Sequence, residues 1–353
     1  MPSVTVNPLG IELYYEDSGA PAGSTSYSTV FLIHGYYCHS SIFLPTFSHA
    51  KLHNFRFIAI NMREYPGTTN LSEAELQQFA SADLEDQAAA VASQAVDIAR
   101  LIVHVIKQEG IPPPQRSGDT LSGGVSLMAW SAGTLMINAL LANVPTLDKA
   151  VYEFLNRYVT NAIFYTAPNI AFGIADPPKT TYPLKNLTMS TEEAHDAFLT
   201  WISTYWQPFP DLKSINTTSI QQRKPMTEIS SDPRYKSIRE RRSPEEIEGI
   251  VHAPVKYRIG PALVNWQVFM ANTRRALLDT KGTWKDVKVL IAWGEMGPWT
   301  VALAAKELTE TLQEPAVEGQ QRREVKFLCL KDASHFLPYD DPERFVKFLA
   351  ENA

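Results

Sequence analysis

The chain has 353 residues, 44% hydrophobic and 20% charged, with a formal net charge of -6, an ordinary globular composition with room for one large α/β domain carrying an insertion or for two domains. No basic cluster is denser than Arg239-Glu240-Arg241-Arg242, which argues against a nucleic-acid surface, and no apolar stretch reaches the roughly 20 residues that span a bilayer. Two cysteines, Cys38 and Cys329, exclude a disulfide framework, and the opening Met1-Pro2-Ser3-Val4-Thr5-Val6 has neither a basic nor an apolar leader pattern, so a cytoplasmic, reducing home is expected.

In chain order, Ile11 to Glu16 alternates as a half-buried strand does, and the Gly-, Ala-, Pro- and Ser-rich segment from Asp17 to Ser26 reads as a turn. Val30-Phe31-Leu32-Ile33 and Phe55 to Ile60 are continuous apolar runs, the pattern of parallel strands covered on both faces. Ala92, Ala95, Val96, Ala99, Ile102, Val103 and Ile106 recur at three- and four-residue intervals before Gly110, which predicts an amphipathic helix from Ala88 to Gln108. A loop is expected from Pro112 to Gly118, followed by the apolar strand Val125 to Trp130, a helix-like pattern from Leu135, and a further strand from Ala162 to Thr166.

Beyond Pro168 the texture changes for over a hundred residues, with many prolines, aromatics such as Trp201, Tyr205, Trp206 and Phe209, and a charged run from Arg239 to Glu248. Strand patterning resumes at Val287 to Trp293 and again at Val325 to Leu330, with helices around Val301 to Leu312 and Pro342 to Ala350. The expectation is an α/β fold, a mostly parallel doubly wound sheet of about eight strands. Residues 1–168 and 284–353 form its core, and 169–283 a mainly helical cap inserted between core strands six and seven. The site is expected at the carboxyl ends of the strands.

Four pieces carry chemistry. His34-Gly35-Tyr36-Tyr37 follows the first buried strand. Asn61-Met62-Arg63-Glu64-Tyr65-Pro66-Gly67 follows the next. Ala129-Trp130-Ser131-Ala132-Gly133 has small residues on both sides of a serine between strand and helix, and Ala333-Ser334-His335 follows the last strand. In this order the chain resembles the α/β-hydrolase superfamily of the serine-nucleophile, cap-bearing type. The resemblance implies Ser131 as the nucleophile on a strained elbow, the backbone N–H groups of Tyr36 and Ala132 as the oxyanion donors, and His335 as the general base. The loop at Asn61 departs from the family's Asp-x-Arg-Gly pattern at Asn61 and Glu64, so it reads as structural. Aspartate is absent from the elbow position, which disfavours epoxide and haloalkane hydrolysis.

The acid is the open member. Relatives place it three residues beyond the glycine that ends the seventh strand, and here that position is Gly297. Glu295 is a candidate if Gly297 lets the loop turn it toward His335. Asp176 and Asp332 compete, and a site without an acid stays open. His34, Gly35, Tyr37, Trp130, Trp206, Trp299 and Phe336 are the expected substrate-binding residues, since aromatic walls suit a bulky apolar ligand. His195 and the other histidines outside the motifs read as surface, core or cap residues, and Cys38 as a small buried residue.

The expected activity is cofactor- and metal-independent cleavage of an ester or thioester of an apolar small molecule, in small-molecule or secondary metabolism. The alternative is a lyase, cyclase or carbon–carbon bond enzyme on the same scaffold. No nucleic-acid or membrane partner is expected, and monomer and homodimer are both open.

Overall fold

The computed structural model describes residues 3–118, 120–258, 265–284 and 286–353. Its strands are β1 (Ser3–Thr5), β2 (Glu12–Asp17), β3 (Ser28–Ile33), β4 (Phe55–Asn61), β5 (Gln115–Ser117), β6 (Thr120–Ser122), β7 (Val125–Trp130), β8 (Val159–Tyr165), β9 (Lys288–Gly294) and β10 (Val325–Leu330). Eight of them form one sheet in the order β1-β2-β4-β3-β7-β8-β9-β10, and β5 and β6 form a separate hairpin. The pairs β1/β2 and β2/β4 are antiparallel, while β3/β4, β3/β7, β7/β8, β8/β9 and β9/β10 are parallel.

The apolar runs do what their lack of alternation predicts. Every residue of β4 and β7 is buried, because helices cover both faces. Successive residues of β3 serve opposite faces: Phe31 and Ile33 join the core beneath helices Leu84–Gln108 and Thr134–Asn143, while Val30 and Leu32 join the core beneath helix Pro342–Asn352. Helix Leu84–Gln108 starts where the Asp83 side chain accepts the Glu85 N–H, the usual way of satisfying an orphan donor at a helix start. Two features differ from expectation. Part of the stretch from Pro112 to Gly118 is strand rather than loop, because Gly118 turns the chain in the left-handed region (φ 61°) and lets β5 pair with β6. The edge strand β1, too short to show periodicity, pairs with β2.

The long insertion lies between β8 and β9, the sixth and seventh strands of the main sheet in chain order. Its helical segments include Thr191–Ser203, Thr217–Gln222, Ile238–Arg241 and Pro244–Glu248. Its two ends pack differently from its middle. Ala171, Phe172, Val268, Phe269, Ala276 and Leu277 share one core with helix Thr134–Asn143, and buried Asn138 donates to both Ala171 O and Thr273 Oγ1 at 2.8 Å. Residues 169–172 and 266–278, inside the span assigned from composition to the cap, thus pack into the core's helical layer. The change of texture at Pro168 follows the strand's end, not the boundary of packing.

Candidate active site

Ser131 follows β7 directly, with φ 57°, a left-handed backbone that costs a side-chain-bearing residue roughly 1–3 kcal/mol and persists only where its surroundings enforce it. The enforcement is visible on both sides. A methyl group at Gly133 would lie 2.3 Å from His34 O, and one at Gly35 would lie 2.8 Å from Ser131 Cβ, so only glycine lets the elbow and the His34-Gly35 turn approach each other. Ser131 itself is only half-buried. Ala132 lies in the first turn after it (Ser131–Gly133), where the leading N–H groups of a helix have no intrahelical acceptor.

His34 is fully buried and fixes this turn. Its Nε2 accepts the Met62 N–H at 3.1 Å, so Nδ1 carries the proton and donates to Gly35 O at 2.8 Å. Burial pushes the ring down to about 3, so it stays neutral. The loop after β4 is tied down by hydrogen bonds of its own. Asn61 accepts the Ser40 N–H and donates to Pro66 O. Glu64, at φ 76°, is buried against Arg258 and the Leu71 N–H.

His335 lies in the loop after β10, and its backbone carbonyl accepts Trp130 Nε1–H at 2.8 Å, which ties the histidine loop to the residue preceding Ser131. The Trp130 ring centroid is 5.1 Å from that of His335 and 5.1 Å from that of Phe336. The imidazole is 1% exposed, and neither ring nitrogen has a hydrogen-bond partner among the described residues. Burial pushes it, too, down to about 3.

None of the three candidate acids meets it. Glu295 accepts from Lys331 Nζ at 2.6 Å and from the Asp332 N–H, and no hydrogen bond joins it to His335. Its candidacy rests on Gly297 letting the loop turn it toward His335. Instead Gly297 is not in the left-handed region, and the loop is held on every side: Glu295 N–H donates to Leu330 O, Met296 N–H to Ala333 O and Gly297 N–H to Gly294 O. Arg223 of the insertion adds bonds to Gly297 O at 2.7 Å and Glu295 O at 3.2 Å. Asp176 is paired with Asn169 and Lys185. Asp332, at φ 49°, makes no hydrogen bond to His335 either.

The aromatic candidates divide. Tyr37, at φ 73°, is buried and its N–H donates to the Tyr65 hydroxyl at 3.2 Å, and Trp130 and Phe336 flank His335. Trp206 and Trp299 pack elsewhere. Trp206 donates to Trp201 O and through its backbone to Met296 O, while Trp299 is buried with Ile215, Ile220, Ala302 and Leu303. Trp206 pairs its ring with Trp201 and Trp299 with Tyr182.

Two residues emerge that sequence reasoning left aside. His195, buried in helix Thr191–Ser203, bonds Thr191 O through Nδ1 at 2.7 Å, so its Nε2 accepts the Tyr36 hydroxyl at 2.8 Å. Asp340, 4% exposed at its side chain, is paired with Arg241. No spacing in the sequence links Arg241 to Asp340 or His195 to Tyr36, so only the fold brings them together. Burial pushes the Cys38 thiol up to about 12, which fits a packing role.

An elbow serine after the central strand, a buried histidine after the last strand and a sheet of this order define one class, and the comparisons agree with it. The sequence pattern of the alpha/beta hydrolase family matches residues 30–348; the chain belongs to this family. Solved structures that it resembles include an enol-lactonase from Burkholderia xenovorans LB400, 15% identical, covering 99% of this chain and 98% of that one, with a TM-score of 0.50. An esterase from Thermogutta terrifontis is 16% identical over 99% and 97% of the two chains, with a TM-score of 0.44. A bromoperoxidase from Bacillus anthracis is 14% identical over 99% and 97%, at 0.49. These identities speak to the fold alone. The comparison with curated proteins finds no match.

Proposed function

We propose that this protein is a serine hydrolase that cleaves an ester or thioester of an apolar small molecule. The observation that carries the reading is the left-handed backbone at Ser131, whose chain neighbour Trp130 bonds the backbone carbonyl of the buried His335. Ser131 Oγ attacks the carbonyl carbon, His335 takes the hydroxyl proton and returns it to the leaving oxygen or sulfur, and water then releases the acyl group by the same route. The N–H groups of Tyr36 and Ala132 hold the oxyanion. Trp130, Tyr37 and Phe336 supply the apolar wall nearest the chemistry. With no carboxylate hydrogen-bonded to His335 among the described residues, the imidazolium forms without the support a third triad member gives, and loss of that support costs up to about four orders of magnitude in rate. Slow turnover is therefore part of the reading.

Rapid mixing with a p-nitrophenyl ester tests it. A burst of nitrophenolate equal to the enzyme concentration, absent in Ser131→Ala, is expected. Neither burst nor turnover on ester and thioester panels sinks the reading. That outcome leaves the second one, a lyase, cyclase or carbon–carbon bond enzyme using Ser131 and His335 for proton transfer or binding, which the unpaired His335 ring favours.

A further inference from the structure

One buried carboxylate in the histidine loop is gripped by the insertion. Asp340 Oδ1 accepts Arg241 Nη1–H at 2.8 Å and Oδ2 accepts Arg241 Nη2–H at 2.9 Å, a two-pronged pair in which both side chains are largely buried. Oδ2 also accepts the Tyr205 hydroxyl and the Ser334 hydroxyl, each at 3.1 Å. Ser334 Oγ in turn accepts the Phe336 N–H at 3.1 Å. The two residues flanking His335 are thus both held through a single serine hydroxyl, whose one proton goes to Asp340.

A planar guanidinium matched to a carboxylate is the most directional charge pair available to proteins. A buried one is hard to justify as stability alone, because desolvation offsets much of its attraction. What this pair does is fix direction. Arg241 and Tyr205 belong to the insertion, Ser334 and Asp340 to the core, and the chain between them is the segment that presents His335. The His335 ring has no hydrogen-bond partner of its own among the described residues, so its placement depends on this backbone and on the Trp130 bond.

We propose that Asp340 is a positioning residue: anchored by Arg241 and Tyr205 of the insertion, it aims His335 at Ser131 through Ser334, so that the insertion must be seated for the histidine to be in place. Its catalytic meaning rests on the reading of Ser131 and His335 above, and its structural meaning does not.

The test has one arm for each. Site-resolved acylation of histidines by diethylpyrocarbonate, read by peptide mass spectrometry, reports the accessibility of the His335 ring without any enzymatic turnover, and fully buried His34 serves as the internal control. In Asp340→Ala and in Ser334→Ala, which keeps the Arg241–Asp340 pair, His335 acylation is expected to rise severalfold while His34 stays protected. Asp340→Asn, which keeps an acceptor for Ser334, is expected to fall between these and the wild type. In the second arm, kcat on a p-nitrophenyl ester is expected to drop by about tenfold or more with KM little changed, as misplacement of a reacting group predicts. His335 acylation unchanged in folded Ser334→Ala, or rising together with His34, overturns the proposal. A wild-type protein without esterase activity overturns the hydrolase reading instead, and the acylation arm still decides this one.

Discussion

Ser131 is held against its own backbone preference. Its φ of 57° is one that glycine adopts freely and serine does not. Replacing the side chain separates the fold's interest from the site's: Ser131→Gly relieves the strain, whereas Ser131→Ala keeps it. Urea unfolding is expected to find the glycine variant more stable than the alanine variant by about 1 kcal/mol, with both lacking the burst. Equal stabilities show that the elbow stores no strain. Ser131 was legible because the small neighbours that its turn requires stand beside it in the sequence. Glu295 stayed one candidate among several for a physical reason: sequence shows that a carboxylate is near, but the loop's bonds to Leu330 O and Ala333 O and from the Arg223 guanidinium decide where it points. His195 and Asp340 lay beyond sequence reasoning because their partners are 159 and 99 residues away.

Among the elements, the turn Ser131–Gly133 packs directly on the turn after β3. Gly133 has an ordinary backbone, so the need for glycine there is purely one of space, with His34 O 2.3 Å from the missing methyl. Gly133→Ala forces backbone to move and is expected to destabilise by about 1–3 kcal/mol, read from the denaturant midpoint at unchanged m-value. A change below 0.5 kcal/mol, the range of ordinary surface substitutions, denies the contact. The strands were readable because continuous apolar runs leave parallel, doubly covered strands as the economical reading, and the long helix because its periodicity is unbroken. The short β5/β6 hairpin and β1 were not, since three-residue strands carry no period. The packing of the insertion's ends against the core was not legible, because residues 266–278 bury only some of their side chains there and composition alone does not distinguish them from a lid.

For the molecule as a whole, buried neutral histidines set an acid limit. His34 and His335 are pushed by burial from 6.5 to about 3, so between those values the unfolded chain binds protons that the folded one refuses. Stability therefore rises with pH across that window, is fully present above about 6.5, and is lost as pH falls toward 3. Urea unfolding is expected to give a lower free energy at pH 5 than at pH 7, with the difference reduced in His335→Phe. A pH-independent free energy contradicts the assigned burial.

A fluorophosphonate reports whether Ser131 and His335 act together. At neutral pH, peptide mass spectrometry is expected to find one phosphonyl adduct, on Ser131, slowed by about a hundredfold or more in His335→Ala, as loss of a general base predicts. An unlabelled Ser131 in the folded protein, or labelling indifferent to His335, shows that the two do not form a catalytic pair.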